Sequence, residues 1–110
     1  MKVLAKDLSV SVLLDFYGEL LTPKQAESLD LYYNQDLSLA EIALDEGITR
    51  QGVRDSIKKA ETALLSFEEK LHLAERFSRI ESSLEKIRRI TDNIEIIHIV
   101  NNILTEEELE

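Results

Sequence analysis

The sequence predicts an all-α fold, and three observations carry that expectation. Only one Pro and three Gly stand among 110 residues, while 32% are charged, a composition that suits helices better than strands and turns. Apolar residues recur at three- and four-residue steps along most of the chain. Three helix starts, at Thr22, Ser38 and Thr49, fall within 28 residues. With 44% hydrophobic residues the chain can bury a core, and no strand is expected.

The first helix is expected over roughly residues 4–20, with Leu8, Val12, Leu13, Phe16, Leu20 and Leu21 on one apolar face. Gly18 is tolerated inside it at modest cost. Thr22-Pro-Lys-Gln then supplies a cap, a proline at the first helical position and a Gln placed to close a capping box. The helix it opens runs to about Tyr33, with Ala26, Leu29, Tyr32 and Tyr33 turned inward, and Asn34-Gln-Asp is a loop. Ser38 and Glu41 repeat the box, and Leu37 with Ile42 has the spacing of a hydrophobic staple. Gly47 ends that helix, where a left-handed residue is needed. Thr49 caps the next, with Ile48 and Val53 as a second staple.

From Arg50 the stripe Val53, Ile57, Ala60, Leu64, Phe67, Leu71 and Ala74 continues the helix, and Phe77, Ile80, Leu84 and Ile87 follow with the phase shifted by three. Such a shift either overwinds a coiled coil or marks a bend. A last helix spans roughly residues 93–104, with Ile94, Ile97, Val100 and Ile103 inward. The expected organisation is a helix-turn-helix domain over 1–64, a helical extension over 65–104 and an acidic tail over 105–110. The portion from Phe77 to Ile97 either packs within the chain or pairs two copies into a homodimer.

Ala43, Gly47, Val53 and Ile57 have the spacing of a helix-turn-helix: a small residue at the crossing, a glycine turn and anchors on the second helix. Charge supports that reading. The net charge is −9, which opposes a nonspecific nucleic-acid coat, yet residues 49–59 carry +3 while residues 22–48 carry −5. The basic stretch coincides with the helix that would enter a DNA major groove. Thr49, Arg50, Gln51 and Arg54, at its N-terminal end, are the candidates for base edges. Lys58 and Lys59, further along, suit phosphate. Lys24 and Gln25, at an earlier helix start, are candidates for a further backbone contact. Asp55 has three readings: an acceptor for cytosine, a partner for Arg54 or Lys59, or a repellent of phosphate. The competing reading of the cations is a solvated helix face. Residues 76–89 carry +3 as well, and ion pairs such as Glu85 with Arg88 and Arg89 account for them better than nucleic acid does.

Leu21-Thr-Pro-Lys-Gln-Ala-Glu-Ser-Leu-Asp-Leu-Tyr-Tyr, with Leu39-Ala-Glu-Ile-Ala and Thr49-Arg-Gln-Gly-Val, is similar to the fourth, promoter-reading region of bacterial sigma factors. The rest of a sigma factor, including the part that melts promoters, has no counterpart here. Adding Leu13-Leu-Asp-Phe-Tyr-Gly-Glu-Leu-Leu-Thr22, Ser66-Phe-Glu-Glu-Lys-Leu and the acidic C-terminus, nearly the whole chain resembles the YlxM family of small helix-turn-helix proteins from low-GC Gram-positive bacteria. That resemblance implies a DNA-binding or regulatory role. It also implies a tie to the signal recognition particle pathway, with which the family is linked by gene neighbourhood. It implies no catalysis.

The residues agree on the last point. There is no Cys, and His72 and His98 stand singly without ligand spacing, so neither metal nor cofactor is expected. His72 pairs most simply with Glu68 or Glu69. No phosphate loop or nucleophile elbow occurs. No apolar run approaches a membrane span and no signal peptide is evident, so a cytoplasmic protein without membrane insertion is expected. The alternative to DNA is a protein-interaction module whose acidic surface takes a basic partner, such as a signal recognition particle component.

Overall fold

The computed structural model describes residues 8–105, with side chains from Val10 onward. The three expected caps all form. Thr22 Oγ1 accepts from Gln25 N at 3.1 Å, and Gln25 Oε1 accepts from Thr22 N at 3.2 Å. Ser38 and Glu41 close the same reciprocal pair at 3.1 and 2.8 Å. Thr49 Oγ1 accepts from Gly52 N at 3.0 Å. Each cap satisfies an N–H that the first turn of a helix leaves without a carbonyl. A fourth, Asn93 Oδ1 from Ile96 N at 3.1 Å, opens the last helix.

Six α-helices result among the described residues: α1 (Leu8–Tyr17), α2 (Pro23–Leu29), α3 (Leu39–Glu46), α4 (Arg50–Leu71), α5 (Leu73–Ile90) and α6 (Ile94–Leu104). A 3-10 turn at Gly18–Leu20 tightens the end of α1, and a π-turn at Asp30–Asn34 prolongs α2. The segment expected as a loop from Asn34 therefore begins one residue late. Asp30 explains part of this: its carboxylate accepts from Asn34 Nδ2 and Gln35 Nε2 at 2.7 and 2.8 Å, tying the wide turn together. No strand occurs among the described residues, and no helix among them is long and apolar enough to cross a membrane.

The chain divides into two compact units, through Ala74 and from Glu75. In the first, α4 packs on α1, α2 and α3. Val53, Ile57, Ala60 and Leu64 are buried on one face of α4, against Leu29, Ile42 and Ala43 of α2 and α3 and Val10, Leu13 and Tyr17 of α1. Ser28, fully buried, donates to Glu46 Oε2 at 3.1 Å and so fixes α2 to α3. Gly47 ends α3 at φ +70°, the left-handed turn expected between the two motif helices.

The buried face of α1 differs from the expected one. Leu13 and Leu21 are inside as expected, but Val10 and Tyr17 join them, while Val12, Phe16 and Leu20 are 36–58% exposed. The side chain of Leu8, and residues 4–7 of the expected helix, lie outside the described residues. Apolar residues cover more than half of this helix, so periodicity does not select one face. Tyr17 decides it, since its phenol finds partners inside. Tyr17 Oη donates to Glu68 Oε1 at 2.6 Å and accepts from Leu73 N at 3.1 Å. Burial first, and then the bond to the Glu68 carboxylate, hold the phenol above its usual range near 10.0. The folded phenol stays neutral where the unfolded one ionises. Its contribution to stability is therefore whole below about pH 10 and declines as pH rises through the elevated folded value.

The long helix breaks at His72, which adopts φ +56° between α4 and α5. Of the two readings of the phase shift, the bend is the one realised. A left-handed residue other than Gly costs roughly 1–2 kcal/mol. In the second unit, Arg88 donates to Asn101 Oδ1 at 2.7 Å and pairs with Glu85, as expected for that carboxylate. The inward residues of α6 are Val100, Ile97 and Leu104; Ile94 and Ile103, expected inside, are 70% and 42% exposed. Ile94 occupies the first turn, ahead of the residues that the Asn93 cap aligns. Residues 106–110 of the expected acidic tail lie outside the described residues.

Two substitutions test this packing. Leu64→Ala, at a side chain with no exposure, is expected to cost roughly 3 kcal/mol in urea unfolding with unchanged m-value. Thr49→Ala is expected to cost about 1 kcal/mol by the same measurement, and Thr49→Ser little, because only the capping oxygen matters.

Candidate nucleic-acid interface

The N-terminal half of α4 faces two ways. At about 100° per residue, Val53 and Ile57 point into the core, and Arg50, Gln51, Arg54 and Lys58 occupy an arc of roughly 100° beside that buried face, beginning about 20° from Ile57. All four are exposed. Lys59, also exposed, stands beyond the edge of this arc. Thr49 begins the helix, so the free N–H groups of the first turn and the guanidinium of Arg50 lie at one end. The basic side is fixed in orientation because the neighbouring side of the same helix is buried.

Local partners modify this face. Gln51 Nε2 donates to Asp55 Oδ1 at 2.9 Å, one turn along. The aspartate is thus engaged with Gln51, an arrangement outside the three readings of Asp55 above. It orients the amide, leaving the Gln51 oxygen as the outward acceptor. Arg54 and Lys58 border a shallow cleft of about 250 Å³ with Tyr32, Tyr33, Leu39, Ile57 and Glu61. Tyr33 donates its hydroxyl to Glu61, and the Tyr32 and Tyr33 rings meet edge to face at 5.0 Å. Sequence reasoning does not single out these paired tyrosines as part of the site. The Leu-Tyr-Tyr run of the sigma-like motif is the available signal, and it reads equally well as core.

Lys24 and Gln25 stand elsewhere. Both lie in the first turn of α2, and the Gln25 amide oxygen closes the capping box. Lys24 lines a groove of about 590 Å³ with Pro23, Glu27, Asp45 and Glu46. Glu46 Oε1 is buried there without a hydrogen-bond partner among the described residues. Three carboxylates around one ammonium make this groove unfavourable to phosphate. The structure therefore brings together Thr49, Arg50, Gln51, Arg54, Lys58 and Lys59 on one helix and leaves Lys24 and Gln25 on another.

Among the described residues no cluster of His, Asp and Glu has the geometry to hold a metal ion. The two histidines are exposed and on different elements: His72 at the α4–α5 break and His98 on α6.

Comparison with known proteins agrees with this architecture. The family model of the YlxM / p13-like helix-turn-helix proteins, UPF0122, matches residues 4–103. A UPF0122 protein of Clostridium kluyveri is 49% identical over 87 residues, covering 79% of this chain and 78% of its own. One from Oceanobacillus iheyensis is 45% identical over 89 residues, covering 81% and 85%. One from Shouchella clausii is 37% identical over 102 residues, covering 93% and 94%. The helix-turn-helix, its capped boundaries and these matches along most of the length agree: the chain belongs to the UPF0122 family of YlxM / p13-like helix-turn-helix proteins.

Proposed function

We propose that the protein is a DNA-binding regulator that reads a major groove with the N-terminal half of α4, acting in the cytoplasm as a homodimer. The observation that carries this is the basic arc itself. Arg50, Gln51, Arg54 and Lys58 project together from a helix whose adjoining face is locked in the core. Arg50 and Arg54 have the fork geometry for guanine, and the Gln51 acceptor suits an amino group on a base edge. Lys58 and Lys59 contact phosphate. Lys24 and Gln25 complete the interface only where a DNA strand passes the α2 terminus, and the acidic groove beside Lys24 argues for a minor part.

The second unit supports dimerisation. Helix α6 is apolar over most of its circumference: Val100 is buried, whereas Ile96, Ile99 and Ile103 are 40–54% exposed. On α5, Phe77, Ile80 and Ile87 are likewise 39–53% exposed. Such surface on a small chain favours association. Two copies related by a two-fold axis would present two α4 helices to half-sites about one DNA turn apart, roughly 34–36 Å. Dimerisation doubles the net charge of −9 along with the basic arc, so what it adds is the avidity of two linked contacts. Family membership supports a place in the signal recognition particle pathway, through control of gene expression there. No residue of the described chain calls for catalysis.

The acidic α2–α3 surface favours a second reading, a module that holds a basic component of that particle. Salt separates the two. For a DNA site selected from random sequence, Arg50→Ala with Arg54→Ala is expected to weaken binding at least about tenfold in fixed salt. Removing Lys58 and Lys59 is expected to lower the slope of log affinity against log salt by about one per lysine. Binding that ignores all four cations supports the interaction module instead. Light scattering at micromolar concentration is expected to give twice the 12.6 kDa chain mass, and Ile99→Asp to halve it and to weaken DNA binding with it.

A further inference from the structure

The joint between α4 and α5 is broken without a breaker. Glu68-Glu-Lys-Leu-His-Leu-Ala-Glu-Arg contains no Gly, Pro or Asn, and each of its residues is acceptable in a helix interior. Yet α4 stops at Leu71 and His72 takes the left-handed conformation at φ +56°, ψ +28°. The local sequence therefore favours continuation, and something tertiary imposes the break. Three hydrogen bonds stand in that place. Tyr17 Oη accepts from Leu73 N at 3.1 Å, Glu68 Oε1 accepts from Ala74 N at 3.1 Å, and Tyr17 Oη donates to the same Glu68 oxygen at 2.6 Å. Together they cap the first N–H groups of α5 with side chains. Glu68 gains further from the break. In a continuous helix its charge would sit in the middle, whereas here it faces a new helix N-terminus, where a carboxylate is favoured.

We infer that the α4–α5 joint is a two-state hinge, held broken by the Tyr17–Glu68 clamp and relaxing to one continuous helix when the clamp is released. In the continuous state His72 becomes right-handed, and the N–H groups of Leu73 and Ala74 pass to the carbonyls four residues earlier. The apolar pattern shows what this would change. At 100° per residue, a continuous helix sets the stripe Phe77, Ile80, Leu84 and Ile87 roughly 170° from the stripe Val53, Ile57, Ala60 and Leu64. The two stripes then face opposite sides of one rod. Because Tyr17 belongs to α1, the packing of that helix sets the state of the joint.

The hinge is tested by nuclear magnetic resonance on the full chain, with core methyl shifts reporting that the first unit stays folded. Glu68→Ala removes the cap from a partly exposed side chain, and Tyr17→Phe removes the buried hydroxyl while keeping the ring. Both variants are expected to move the His72 Cα and Cβ shifts from left-handed to right-handed helical values and to slow amide exchange at Leu73 and Ala74. His72→Gly added to Glu68→Ala, where left-handed backbone is cheap, is expected to restore the wild-type shifts of Leu71 and Leu73. Should Tyr17→Phe unfold the unit, Glu68→Ala decides alone. Left-handed His72 shifts persisting in Glu68→Ala would overturn the inference. So would faster exchange over residues 72–76, which would mean a frayed joint in place of a continuous helix.

Discussion

One helix serves both as the spine of the core and as the carrier of the basic arc, and the rest of the first unit depends on that double use. Val53, Ile57, Ala60 and Leu64 are buried against three other helices, so α4 can neither rotate nor slide without opening the core. A rotation of a single residue's step, about 100°, would bury Arg54 and expose Val53. Hydrophobic packing therefore aims the cations. The buried Ser28–Glu46 bond and the left-handed Gly47 set the approach of α2 and α3 to that spine, and the Thr49 cap sets where it begins. Folding by itself fixes the direction in which the basic arc points.

Helix boundaries are legible in the chain because capping chemistry is local. Thr22 with Gln25, Ser38 with Glu41, and Thr49 with the Gly52 amide each involve groups three residues apart. Such pairs depend little on the rest of the molecule. Faces are harder to read. Helix α1 is apolar over most of its surface, and the tertiary partner of Tyr17 is what selects Val10 and Tyr17 over Val12 and Phe16. The break at His72 follows from the same phenol, which lies 56 residues from Leu73 in sequence. No local rule places a helix end at a histidine between two leucines. The π-turn at Asp30–Asn34 depends on carboxylate bonds to amides four and five residues on, a pattern that a regular helix repeat does not express.

The candidate site divides along the same line. The charge contrast between residues 22–48 and 49–59 is a property of composition and is plain in the chain. The Gln51–Asp55 bond is a local pair one turn apart, whereas the placement of Tyr32 and Tyr33 beside Arg54 and Lys58 follows only from the folded arrangement. Lys24 shows the limit of reading charge along a sequence. It begins a helix, as a phosphate contact would, yet the acidic end of α3 folds next to it and changes its surroundings. An acidic chain whose positive charge is concentrated at residues 49–59 and 76–89 suppresses loose electrostatic adhesion to nucleic acid and confines its cations to a small part of the surface.

Whether the α4 arc is where DNA is held can be asked directly of the isotopically labelled protein. Its amide and side-chain shifts are mapped while it is titrated with a duplex chosen by selection from random sequence. The largest changes are expected at Thr49, Arg50, Gln51, Arg54 and Lys58, with the buried α4 face nearly still. Changes confined to the acidic surface of α2 and α3, or a selection that yields no duplex while the protein remains folded, would contradict that assignment.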